Sequence, residues 1–170
     1  MDVAIYPGTF DPVHQGHLDI ARRAATLFDR LVIGVYDRPN KSPLFALPER
    51  VELFRQAVAG VSNVSVEPYS GLTVGFARRM GARFIIRGLR ATSDFEYEYQ
   101  MALTNRKLEP EVDTVCLMTS LEHAFISSTI VKEVALAGGN IRCLVPAHVA
   151  RALAERLRAE SGPTSERQGG

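Results

Sequence analysis

Two histidines, two glycines and two prolines are concentrated in one stretch of this chain, Tyr6-Pro7-Gly8-Thr9-Phe10-Asp11-Pro12-Val13-His14-Gln15-Gly16-His17. It follows an apolar run at residues 3–6 and leads into residues 18–28, whose apolar positions recur at helical spacing, so it reads as a strand-to-helix turn. The first amides of a helix have no intrahelical partners and the helix dipole favours negative charge there, which makes phosphate the expected guest. Gly8 and Gly16 let the backbone approach a ligand closely, while Pro7 and Pro12 restrict the loop. With the turn helical, His14 and His17 point to one side and can both donate hydrogen bonds to an anion. Taken singly these residues are ordinary turn punctuation and helix caps; it is their combination that reads as phosphate chemistry.

Cations and hydroxyls recur later in the sequence at comparable places. Arg87 and Arg90 flank Gly88 where an apolar run, 83–90, gives way to a loop. Arginine suits bidentate phosphate recognition and keeps its charge at any relevant pH, so the two could clamp phosphate; equally, they could pair with Asp94, Glu96 or Glu98 at the surface. Lys41 lies in a proline-marked loop, 38–43, where a lysine by itself reads as a solvated charge. Ser127, Ser128 and Thr129 fall at a helix start, where hydroxyls either cap the helix or join its free amides in holding a triphosphate.

The elements that must position these groups alternate along the chain. Apolar, β-rich runs at 31–37, 63–69, 83–90 and 113–119 follow the first strand, and 31–37 is too continuously apolar to have a wet face. Pro68 places 63–69 near an edge, because proline cannot donate to a ladder. Between the strands lie helical patterns at 48–59, opened by Pro48, at 71–80 and at 92–107, followed by one from about Ser127 to Gly138-Gly139 and a last one at 146–160. Residues 92–107 carry acids early and basic residues late, as the helix dipole favours. Their aromatic and Met side chains are read as core packing, with burial against another subunit as the other possibility. His148 is assigned to the surface.

Five strands alternating with helices predict one Rossmann-like α/β domain over 1–160, its five-stranded sheet mostly parallel with helices on both faces. In such a sheet the ligand crevice lies at the carboxyl edge, the rim that His17, Lys41, Arg87, Arg90 and 127–129 should all reach. The polar tail 161–170 is expected to be disordered.

Composition narrows the classes. The 170 residues are 46% hydrophobic, enough for one sizeable core, and 20 Lys plus Arg against 19 Asp plus Glu give a formal charge of +1. That balance makes no case for nucleic acid or an anionic membrane as partner. Cys116 and Cys143 have no zinc-site spacing and read as reduced packing residues, so no metal ligands are assigned. The N-terminus has no leader pattern and no apolar run approaches the roughly 20 residues needed to span a bilayer, so the expectation is a soluble, cytoplasmic protein. P-loop, dinucleotide-fingerprint and nucleophile-elbow motifs are missing, which turns the reading away from P-loop kinases, common dehydrogenases and covalent acyl chemistry.

His14-Gln15-Gly16-His17 at a first strand-to-helix junction is the H-x-G-H signature of the nucleotidyltransferase superfamily. The wider match resembles one branch, the bacterial phosphopantetheine adenylyltransferases. The resemblance runs from Ala4 to about Glu133 and is carried by three places: Tyr6 to His17; Ile86-Arg87-Gly88-Leu89-Arg90 with 94–98; and Phe125-Ile126-Ser127-Ser128-Thr129 with 131–134. It implies transfer of AMP from ATP to 4′-phosphopantetheine, with Mg²⁺ offsetting charge, in a homohexamer. Catalytic roles would fall to His17, Thr9, Lys41 and Arg90. ATP would be contacted by Thr9, Phe10, His17, Gly88, Leu89, Arg90 and Glu98, and by His123, Ala124, Phe125, Ile126, Ser127, Ser128 and Thr129. Thr9, Lys41, Thr73 and Arg87 would bind the phosphopantetheine, which replaces the solvated-charge reading of Lys41. The chain departs from many relatives at His14, where they carry Thr, and at Glu122-His123-Ala124, where an aromatic-containing stretch is more usual. A sister adenylyl- or cytidylyltransferase with another phosphorylated acceptor, and a non-catalytic nucleotide sensor, are the alternatives.

Overall fold

β-Branched and aliphatic residues dominate the three inner strands, and in the computed structural model these are the strands with no wet face. The structure describes residues 1–39, 42–90 and 92–160; Lys41 and the predicted tail lie outside the described residues. In chain order the elements are β1 (Val3–Gly8), α1 (Gln15–Leu27), β2 (Arg30–Tyr36), α2 (Leu47–Ala57), β3 (Val64–Tyr69) and α3 (Thr73–Arg79). Next come β4 (Phe84–Leu89), α4 (Thr92–Leu108), β5 (Asp113–Met118), α5 (Ser128–Leu136) and α6 (Ala147–Glu160).

The strands form a single sheet in the order β3-β2-β1-β4-β5, and every pairing is parallel. The sequence expectation of a mostly parallel sheet is thus sharpened to an all-parallel one. The chain builds outward from β1 through β2 to β3, then crosses back to lay β4 on the other side of β1. This reversal opens a crevice between the carboxyl ends of β1 and β4, the place where open α/β sheets bind ligands. Pro68 sits on β3, at the sheet edge, as its missing N–H requires.

Alternation along β1 divides the core. Ala4 and Tyr6 point into the larger cluster, built with Leu18 and Ile20 of α1, Phe54 of α2, Val131 of α5 and Leu153 of α6. Val3 and Ile5 point the other way, onto Val74, Phe76 and Ala77 of α3.

Three sequence expectations change here. The aromatics of α4 are not core: Phe95, Tyr97, Tyr99 and Leu103 are each more than half exposed, because α4 packs at the β5 edge, mainly against α3, β4 and β5. Cys116 and Cys143 are exposed rather than packed; Cys116 lies on edge strand β5 and Cys143 in the α5–α6 connection. His148 is half-buried instead of on the surface, and its Nε2–H donates to the Leu53 carbonyl (2.8 Å), pinning α6 to the end of α2.

Candidate active site

The turn after β1 is shaped by one aromatic ring. Phe10 takes the left-handed backbone region (φ 51°), unusual for a residue with a Cβ. Its ring is 3% exposed and meets Tyr6, His17 and Phe54 edge-on, with centroids 5.4, 4.9 and 4.7 Å away. A Cβ on Gly8 would lie 2.7 Å from that ring, so the last residue of β1 has to be glycine.

His14 is the N-cap of α1 and His17 lies in its first turn. Their rings stack, with centroids 3.6 Å apart and planes at 23°. The His14 backbone N–H donates to His17 Nδ1 (3.3 Å), which places the proton of a neutral His17 ring on Nε2 and makes that nitrogen a donor. Burial pushes the His14 imidazole down to about 3, with the charges of Arg90 and His123 adding to the effect. Burial is also the largest reason that His17 sits well below the ordinary histidine value, followed by His14, Arg90 and Arg87. Both rings are therefore neutral at neutral pH, which is what allows them to stack, and His17 meets an anion as a hydrogen-bond donor rather than as a cation.

The two readings of the arginines turn out to be compatible. Arg87 on β4 makes a bidentate pair with Glu98 of α4 (Nε to Oε2 2.7 Å, Nη2 to Oε1 2.6 Å) and donates from Nη1 to the Pro7 carbonyl (3.1 Å). Burial opposes its charge, but the hydrogen bonds and charge of Glu98 outweigh that and hold the guanidinium above its ordinary value. Arg90, just past β4, binds Asp94 (Nε to Oδ2 3.1 Å) and reaches the Ile126 carbonyl (3.5 Å). Each arginine is held in place by an acid while keeping a face on the crevice.

Of the two readings of the hydroxyls at the start of α5, the structure shows the cap and adds a docking contact. Ser127 caps the helix by accepting from the Ile130 N–H (3.2 Å), and Ser128 donates to the Pro12 carbonyl (2.9 Å), docking α5 on the β1–α1 turn. Asp19 accepts the Ser120 N–H (3.2 Å) and Arg23 donates to the Met118 carbonyl (2.6 Å), fastening the end of β5 and the residues after it to α1.

A cavity of about 350 Å³ opens at this rim. Its walls include Phe10, His17, Gly88, Arg90 and Glu98 from the first two matched places, Ile126, Ser127 and Ser128 from the third, and His123 from the stretch where the chain departs from its relatives. Thr9, Leu89, Ala124, Phe125 and Thr129 are not in its lining, and Phe125 is 62% exposed. A smaller cavity of about 130 Å³ contains Thr73 and Arg87. The two cavities share Pro7, Arg87, Tyr97 and Glu98, so they adjoin across the Arg87–Glu98 pair. Sequence reasoning missed Tyr97, Met101 and Asn105, which line the smaller cavity. Their spacing of four along α4 puts them on one helix face, a signal that was present.

Among the described residues no group of three or more His, Cys, Asp and Glu side chains could hold a metal ion. The nearest carboxylates, Asp94 and Glu98, are engaged by arginines. The two carboxylates that line the cavity are thus committed to arginines and do not by themselves form a Mg²⁺ site.

The sequence profile described as cytidylyltransferase-like matches residues 5–134. Proteins named phosphopantetheine adenylyltransferase are similar over nearly the whole chain. The one from Heliobacterium modesticaldum is 53% identical over 156 residues, covering 92% of this chain and 93% of that protein. The one from Thermomicrobium roseum is 53% identical over 158 residues, covering 91% and 95%, and the one from Desulforudis audaxviator 52% identical over 157 residues, covering 92% and 96%. A solved structure from Vibrio parahaemolyticus, described as a nicotinate-nucleotide adenylyltransferase, superposes with a TM-score of 0.66 at 18% identity, covering 91% of this chain and 99% of that one; at that identity the likeness shows the fold. With the H-x-G-H turn, the switch-point crevice and these relatives in agreement, the chain belongs to the phosphopantetheine adenylyltransferase family of cytidylyltransferase-like proteins.

Proposed function

We propose that this protein transfers the adenylyl group of ATP to 4′-phosphopantetheine, giving dephospho-coenzyme A and pyrophosphate, a step of coenzyme A biosynthesis. The observation that carries this reading is the pair of cavities adjoining at Arg87, within a chain about half identical to enzymes of that name over more than nine-tenths of its length. The larger cavity, with the α5 N-terminus, His17 and Arg90, suits a nucleotide; the smaller, with Thr73 and Arg87, suits the acceptor.

The reaction is an in-line displacement. An oxygen of the acceptor phosphate attacks the α-phosphorus of ATP, the bond from that phosphorus to the bridging oxygen breaks, and pyrophosphate leaves. A phosphomonoester with a second pKa of ~6 is already largely a dianion at neutral pH, so the protein need not supply a strong base. It supplies position and charge instead. The neutral His17 donates from Nε2 to the phosphate at the reacting centre, Arg90 and the free amides of α5 hold the outgoing phosphates, and Thr9 orients the acceptor. Arg87, fixed by Glu98, holds the acceptor together with Lys41. A Mg²⁺ ion carried by the phosphates of the nucleotide would offset charge there.

The protein acts in the cytoplasm as a homohexamer. Supporting this, no helix among the described residues is long and apolar enough to cross a membrane, and Tyr99 and Leu103 of α4, with Met118 of edge strand β5, expose large apolar side chains that a second copy would cover. The test is pyrophosphate release with Mg-ATP and 4′-phosphopantetheine, beside reactions with nicotinate mononucleotide and with CTP plus a phosphoalcohol. Release with phosphopantetheine alone is expected. Release with another pair keeps the fold and His17 chemistry but moves the chain to a sister activity, and ATP binding with no turnover makes it a sensor.

A further inference from the structure

Asp11 is 5% exposed in the β1–α1 turn, and among the described residues its carboxylate is bound by donors from outside that turn. Its Oδ1 accepts the Phe45 N–H (2.9 Å), and its Oδ2 accepts both the Leu44 N–H (2.8 Å) and the Lys132 ammonium (2.9 Å). The donors come from two distant segments: the stretch between β2 and α2 that follows Lys41, and α5. Lys132 lies one helical turn beyond Ser128, so the face of α5 that Ser128 docks on Pro12 is tied a second time to the same turn. Arg50 of α2, 1% exposed, completes the connection. Its Nη1 donates to the carbonyls of Thr9 (2.7 Å) and Tyr36 (2.8 Å), and its Nε to that of Phe45 (3.1 Å).

A buried carboxylate is tolerated only when its oxygens are well supplied with donors. A buried ion pair adds little net stability, because desolvation offsets the attraction, so its consequence here is geometric. Asp11 is satisfied in one alignment of the three segments only. One segment bears Thr9 and the stacked histidines, the second follows Lys41, and the third begins with the serines that line the larger cavity.

We propose that Asp11 and Lys132 are positioning residues whose ion pair holds the nucleotide-facing start of α5 in register with the β1–α1 turn that bears Thr9 and with the segment at 44–46. The inference rests on the adenylyl-transfer reading above. Lys132 then controls the nucleotide subsite alone, whereas Asp11 controls both subsites.

The test is a cycle of Asp11→Asn, Lys132→Met, Lys132→Arg and the Asp11→Asn/Lys132→Met double variant, with KM for each substrate, kcat and urea midpoint measured for every protein. Loss of one charge-assisted hydrogen bond corresponds to about tenfold in affinity. Lys132→Met should therefore raise the KM for ATP about tenfold and leave that for phosphopantetheine near the wild-type value. Asp11→Asn should raise both, the double variant should be no worse than Asp11→Asn, and Lys132→Arg should restore the KM for ATP. The proposal is overturned if Lys132→Met lowers the urea midpoint yet leaves both KM values unchanged, or if the double variant shows the full product of the single effects. Lys132 is part-exposed, so its variants decide the matter even where Asp11→Asn does not fold. A wild-type protein that releases no pyrophosphate with phosphopantetheine counts against the substrate reading instead, and ATP dissociation constants from equilibrium titration then carry the same comparison.

Discussion

His14 gives the ligand-free protein an acid-sensitive stability that can be removed by one substitution. The imidazole is 4% exposed and its pKa is lowered from 6.5 to about 3, by burial first and then by Arg90 and His123. Between those two values the unfolded chain binds a proton at this position that the folded chain does not. Stability therefore rises with pH across the window: the contribution is intact above pH 6.5, falls as pH drops, and is exhausted near pH 3. The limiting slope is one proton, about 1.4 kcal/mol per pH unit, and the whole window is worth at most about 5 kcal/mol. His17, lowered for related reasons, adds a slope of the same sign. Replacing His14 by Thr removes its own proton and relieves His17 of its stacked neighbour, so the histidine contribution to the acid limb should fall by at least half. The assay is urea unfolding of wild type and His14→Thr from pH 7 to 4 at fixed ionic strength, without nucleotide. Carboxylates titrate in both proteins and cancel in the difference. If the two stability curves run parallel through the window, His14 titrates normally and the account of neutral, stacked rings is wrong.

Other substitutions separate the remaining parts. His17→Ala removes a donor at the reacting centre and should lower kcat by about 10²–10³-fold with a much smaller change in the KM for ATP; steady-state pyrophosphate release reads both, and an unchanged kcat removes His17 from the chemistry. Glu98→Gln loses one charge-assisted contact to Arg87 and should raise the KM for phosphopantetheine about tenfold, while an unaltered KM would show that Arg87 needs no partner. Gly8→Ala places a methyl group 2.7 Å from the Phe10 ring and should destabilise by about 1–3 kcal/mol in urea unfolding; a wild-type midpoint would mean that the ring is free to move. Leu103→Glu puts a charge on the exposed face of α4 and should shift the protein to smaller species in sedimentation velocity, whereas an undisturbed assembly would locate the contact elsewhere.

The local signals in this sequence were short-range ones, and those held. Strand and helix type follow from apolar periodicity, Pro68 marked the edge strand, and the Gly8 to His17 stretch was legible as a strand-to-helix turn because its glycines, prolines and histidines are neighbours in the chain. Of what the sequence left open at Arg87 and Arg90, the ion pairs became visible only when β4 and α4 were placed side by side, since the pairing with Glu98 fixes Arg87 at the seam of two cavities. The α4 aromatics were misread for a related reason. A helix sequence states that it has apolar residues, but its place at the β5 edge decides whether the protein has anything to bury them against. His148 and Asp11 make the point for polar groups: their partners, Leu53, Leu44, Phe45 and Lys132, are distant in sequence, and backbone donors and acceptors look the same at every residue until the fold brings one of them within 3 Å. The chain alone determines which groups can do phosphate chemistry, because charge and backbone freedom belong to the residue. Tertiary structure decides which of them are neutral, paired or aimed at a common crevice, because burial and proximity belong to the fold.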